Sequence, residues 1–147
     1  MPLPAQYGLS AYAKVGVESG VAAANPHRLI LMLLEGAMVA IGDARRHLLC
    51  RDMAAKGIAI SKAIMIIDDG LRVSLDLKDG GELAQHLHAL YEYMSRTLLF
   101  ASAHNDIAKL DEVKRLLAEI KEAWEAIGTH PAASVVSSQY SDHARRR

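Results

Sequence analysis

Apolar side chains return every three or four positions through four stretches of the chain, and each stretch begins or ends at a residue that punctuates helices. The first starts after Asn25, a favoured N-cap, with Pro26 where a missing N–H costs nothing, and runs to about Cys50. A second starts near Asp52 and carries Ile58, Ala63, Ile64, Ile67, Leu71 and Leu75 before Asp79-Gly80-Gly81 closes the region. The third, from about Glu82 to His104, sets Leu83, Leu87, Leu90, Met94 and Leu98 down one stripe. In the fourth, Asn105-Asp106 precedes Ile107, Leu110, Val113, Leu117, Ile120, Trp124 and Ile127, with Gly128 expected as a left-handed C-cap. No alternating β-branched run competes, so the pattern predicts an all-α protein, an antiparallel up-down four-helix bundle over residues 25–128. Residues 1–24, interrupted by Gly16 and Gly20, read as a mobile N-terminal arm, and residues 129–147, without a period, as a disordered tail.

The helices hold more apolar residues than one stripe each can bury. Successive helical residues turn by about 100°, so Leu29, Ile30, Leu31, Met32, Leu33 and Leu34 encircle their helix. The same excess recurs at Ala63-Ile64-Met65-Ile66-Ile67 and at Leu98-Leu99-Phe100-Ala101. Contiguous apolar surface of this kind usually marks a protein-binding site, and three covers are open: a partner helix, the N-terminal arm or a second copy of the chain. A partner helix would be held through anchors at i, i+3, i+4 and i+7. Met32, Met38, Met53, Met65 and Met94 suit either a core or an adaptable groove.

Composition narrows the classes. A chain of 147 residues, 51% hydrophobic and 23% charged, is sized for one globular domain. Seventeen basic residues balance seventeen acidic ones, which leaves no bulk positive field for collecting nucleic-acid phosphates. The lone cysteine, the absence of a basic-then-apolar leader at Met1–Gln6 and apolar runs far shorter than the roughly 18 residues of a membrane span point to a cytoplasmic protein with no membrane insertion.

Catalytic chemistry fails on spacing. A di-iron bundle needs two Glu-x-x-His pairs, and no Glu here is followed by His at the third position. His86 and His88 diverge on a helix, as do Asp68 and Asp69, and Gly80-Gly81 lacks the Lys and Ser/Thr of a phosphate loop. Cys50, among Leu48, Leu49 and Arg51, reads as a packing thiol. Neither an enzyme nor any cofactor or metal is expected.

From about Leu9 to Ile127 the chain resembles the flagellar secretion chaperone family FliS. The resemblance sits in Ala11-Tyr12-Ala13-Lys14-Val15, Asn25-Pro26-His27-Arg28-Leu29-Ile30, Glu35-Gly36-Ala37, Lys62-Ala63-Ile64, Gly70-Leu71, Gly80-Gly81-Glu82, Leu90-Tyr91-Glu92-Tyr93-Met94 and Ala123-Trp124. It implies a bundle that binds the disordered C-terminal segment of flagellin so that subunits cannot polymerise before export. On this resemblance Ile64, Ile67, Leu71, Tyr91, Met94, Leu98 and Leu99 are expected to contact flagellin, and Leu9 and Tyr12 the cytoplasmic domain of the export gate. The competing expectation is a structural bundle that pairs weakly with a second copy of itself.

Overall fold

The computed structural model describes residues 25–129; the expected arm at 1–24 and tail at 130–147 lie outside the described residues, as do Leu9 and Tyr12. Four helices follow one another: α1 (Pro26–Leu49), α2 (Met53–Met65, prolonged by a π-helical stretch Ile66–Arg72), α3 (Gly81–His104) and α4 (Ile107–Thr129). No strand occurs among the described residues. Consecutive helices pack on one another, and α4 closes the ring against α1. The antiparallel four-helix bundle is therefore present.

Local chemistry places the helix ends. The Asn25 side chain accepts hydrogen bonds from the backbone N–H groups of His27 (3.0 Å) and Arg28 (3.4 Å), with Pro26 just inside the helix. At the first corner Arg51 turns left-handed (φ 59°), and the Asp52 side chain then caps α2 by accepting from Ala55 N–H at 3.1 Å. Asn105 makes the corresponding left-handed turn (φ 52°) after α3, and Asp106 accepts from Lys109 N–H at 3.2 Å to open α4.

The core joins Leu33, Leu34 and Ile41 of α1, Ile60, Ile67 and Leu71 of α2, Met94 and Leu98 of α3, and Leu110, Val113 and Leu117 of α4, all 2% exposed or less. At roughly 1.5–3 kcal/mol per fully buried aliphatic side chain, this set carries most of the favourable side of folding. The π-helical stretch widens the end of α2 so that Ile66, Ile67, Gly70 and Leu71 all turn inward. A Cβ on Gly70 would stand 3.1 Å from a Leu33 methyl, which shows how closely α2 approaches α1 there.

Three sequence expectations need correction. Ile58 (73% exposed) and Leu83 (45%) stand outside the buried stripes to which their spacing assigned them, because Ile58 points away from both neighbouring helices and Leu83 sits in the first turn of α3 beyond the packed layer. Cys50 is exposed at the end of α1 and packs against no core. Gly128 is not a left-handed cap: α4 continues through it, and its missing side chain makes room for the His27 ring, into which a Cβ would run. His27 and Trp124 clasp the two ends there. The indole N–H of Trp124 donates to the His27 carbonyl (3.0 Å), His27 Nε2 lies 2.6 Å from the Trp124 carbonyl oxygen, and the rings stack with centroids 5.0 Å apart.

Candidate partner-docking surface

The seven side chains expected to meet a partner divide by depth. Ile67, Leu71, Tyr91, Met94 and Leu98 are buried in the bundle, 3% exposed at most, and burial pushes the Tyr91 hydroxyl up to about 12. Ile64 is half-buried and Leu99 is 60% exposed. A partner resting on the closed bundle can touch the last two directly; the other five form the floor beneath them.

Helix geometry sets Ile64 and Leu99 on the same flank. Two polar ties join α2 to α3: the Lys56 ammonium donates to the Ser102 carbonyl and to Asn105 Oδ1, both at 2.8 Å, and the Ser95 hydroxyl donates to Asp68 Oδ1 at 2.7 Å. Ile64 lies one turn before Asp68 on α2 and Leu99 one turn beyond Ser95 on α3, so both fall between the ties, on the helix faces that carry them. Ile58 and Met65 (47% exposed), seven residues apart on the outer face of α2, continue the apolar surface beside this groove.

The ties are themselves informative. Lys56 is 7% exposed, and its charge rests on a carbonyl at the C-terminal end of α3, where the helix dipole favours a cation. Neither Lys56 nor Ser95 emerges from apolar periodicity.

A second exposed area lies on the other flank of α3, where Tyr93, Arg96, Thr97, Phe100 and Lys109 line a shallow hollow of about 310 Å³. The Tyr93 hydroxyl donates to Glu112 Oε2 at 2.5 Å. That bond is the largest influence and, helped by Lys109 and Arg115, holds the Glu112 carboxyl below the usual carboxylate range against the opposing effect of burial. Phe100 tilts against His104, with ring centroids 4.2 Å apart.

Among the described residues no three His, Cys, Asp or Glu side chains converge as metal ligands, and no helix is long and apolar enough to cross a membrane. His88 pairs with Glu92 (3.0 Å), and Asp68 is engaged by Ser95. The arrangement offers apolar flanks and satisfied polar ties: no buried side-chain donor or acceptor lacks a partner among the described residues.

Residues 8–131 match the family model described as flagellar protein FliS. The chain is 50% identical over 132 residues to the flagellar secretion chaperone FliS of Salmonella typhimurium, spanning 90% of this chain and 96% of that one. It is 45% identical over 123 residues to the flagellar secretion chaperone FliSB of Pseudomonas aeruginosa (84% and 97% covered) and 32% identical over 108 residues to the FliS of Bacillus subtilis (74% and 79%).

Proposed function

The chain belongs to the FliS family, a family of flagellar secretion chaperones and not of enzymes, and on that premise we propose that it is a cytoplasmic chaperone for the disordered C-terminal segment of flagellin. It binds that segment as an amphipathic helix, keeps flagellin from polymerising early and assists its export through the flagellar type III secretion apparatus. The observation that carries this reading is the open apolar flank of α2 and α3, where Ile58 and Leu99 are 73% and 60% exposed above a complete core. A segment that orders on binding spends roughly 2–5 kcal/mol of the gross interaction on ordering, so a long apolar contact is needed.

In this proposal Leu99 and Ile64 touch flagellin directly, and Ile67, Leu71, Tyr91, Met94 and Leu98 shape the groove from beneath. Leu9 and Tyr12 dock on the export gate's cytoplasmic domain. The test is a titration of a flagellin C-terminal peptide into the full chain, followed by circular dichroism: the peptide gains helicity and binding saturates. Ile58→Asp with Leu99→Asp weakens binding while the chaperone keeps its own helical signal; saturable binding that ignores both substitutions would reject the flank as the site. Tyr12→Ala spares peptide binding and lowers export, and an equal loss of both would reject that division of labour.

The same exposed side chains favour one second reading, weak pairing of two copies. A mass in solution that stays at that of one chain over a wide concentration range excludes it; a dimer that persists after flagellin peptide saturates the chain establishes a separate self-association surface.

A further inference from the structure

Among the exposed apolar side chains of the described residues, Val39, Leu49, Met53 and Leu99 stand away from the end of the bundle at which α4 stops, and charge tells the other three groups apart. Ile58 and Met65 on α2 flank Lys62, and Phe100 with Tyr93 shares its hollow with Arg96 and Lys109. Val73, Leu77 and Leu83, 38–45% exposed in and just after the α2–α3 connection, are instead interleaved with the exposed carboxylates of Asp76, Asp79 and Glu82. Lys78 is the one exposed cation of that stretch, since Arg72 is turned towards Glu92, 4.0 Å away.

The chain supplies a segment of matching chemistry at the same end of the bundle. The His27–Trp124 clasp places the end of α4 beside the start of α1, and the contact of Gly70 with Leu33 places the end of α2 there too. Beyond Thr129 come Val135, Val136 and Tyr140, and then Arg145-Arg146-Arg147, with Asp142 the single acid. At about 3.3–3.6 Å per extended residue, the five residues 130–134 reach roughly 17 Å. Neighbouring axes stand about 8–10 Å apart, so that reach crosses the bundle end even along its diagonal.

We propose that residues 130–147 dock back onto this end of their own chain, with Val135, Val136 and Tyr140 against Val73, Leu77 and Leu83, and the three terminal arginines against Asp76, Asp79 and Glu82. Lys62 beside Ile58 and Met65 would repel the arginines, and at the Tyr93–Phe100 hollow, next to Arg96, the carboxylate of Glu112 is already held by Tyr93 and Lys109, which leaves the carboxylates of the α2–α3 connection as the charge match. Asp76 spends Oδ1 on the N–H groups of Lys78 and Asp79 and keeps its second oxygen for a guanidinium, whose planar fork suits a carboxylate. Solvent-exposed ion pairs are individually weak, so the apolar and charged contacts must act together. The family model covers residues 8–131, so nearly all of the docked segment lies beyond the matched region.

The test uses the full chain with Cys50→Ser and Ser141→Cys, a nitroxide on residue 141 and nitrogen-15 amide spectra. The amides of residues 73–83 are expected to lose most of their intensity, and to recover it when Arg145, Arg146 and Arg147 are all changed to Glu. Broadening centred on Ile58–Met65 or on the Tyr93–Phe100 hollow overturns the placement, and uniform or absent broadening overturns docking altogether. Mixing nitroxide-bearing chains of natural nitrogen with labelled chains that lack the nitroxide separates the remaining occupant: broadening of residues 73–83 in that mixture makes the acceptor a second copy and overturns the intramolecular contact.

Discussion

Leu29–Leu34 in α1 and Leu98–Ala101 in α3 are both apolar runs that wrap their helix, yet none of the first six side chains is exposed, while Leu99 and Phe100 of the second are 60% and 47% exposed. The difference lies in the neighbours. Along its start α1 meets the widened end of α2 on one side and α4 on the other, and the His27–Trp124 clasp closes the corner over its first turn. The corresponding flanks of α3 are tied to α2 and α4 by polar bonds at Ser95 and Tyr93, which hold the helices together without covering the side chains between them. Apolar excess in a sequence thus marks either a crowded helix or an exposed flank, and packing decides which.

The sharpest way to break this comparison is a charge at two adjacent positions of α3. Leu98→Asp should cost about 4 kcal/mol or more or prevent folding, because it buries an unpaired carboxylate, whereas Leu99→Asp should change stability by no more than about 0.5 kcal/mol. Urea denaturation followed by circular dichroism measures both, and similar losses would mean that Leu99 is covered too. Between the two areas, Leu33→Ala should cost about 2–5 kcal/mol through a cavity beside Gly70, and Ile58→Ala no more than about 0.5 kcal/mol.

A smaller effect tests the corner that helps to cover α1. Gly128→Ala drives a methyl into the His27 ring and should cost about 1–3 kcal/mol. Because Trp124 is the single tryptophan, its fluorescence reports the loosened clasp directly, and an unchanged spectrum would show that the corner accommodates the methyl without opening. The smallest change concerns the far flank of α3. Tyr93→Phe removes the first cause of Glu112's lowered pKa, so that pKa should move up in a carbon-detected NMR titration. A lowered carboxylate pKa adds stability that is present above the ordinary carboxylate range and is lost as pH falls through the lowered value. The variant should therefore show slightly less acid-side loss than the parent, and a Glu112 titration unmoved by the substitution would remove the hydrogen bond from the account.

Much of the fold was legible because its signals are local. Asn25, Asp52 and Asp106 each accept the backbone hydrogen bonds that a capping side chain can reach without help from another helix. Gly128 misled because a glycine near a helix end has two uses, a left-handed turn and a close approach, and only the position of His27 distinguishes them. The π-helical stretch carried no local signature, since Ile66-Ile67-Asp68-Asp69-Gly70 continues an ordinary apolar period. On the candidate surface, Leu98 and Leu99 were indistinguishable as apolar neighbours until the direction of the core was known.

By itself the sequence determined the helical class, the four segments, the side-chain N-caps of three of them and an apolar content larger than four single stripes require, because each depends on residues within a few turns of one another. Tertiary structure alone decided which part of that excess is sealed and which stays open. A step of about 100° per residue fixes where side chains point relative to each other, but the inward direction exists only once neighbouring helices are in place.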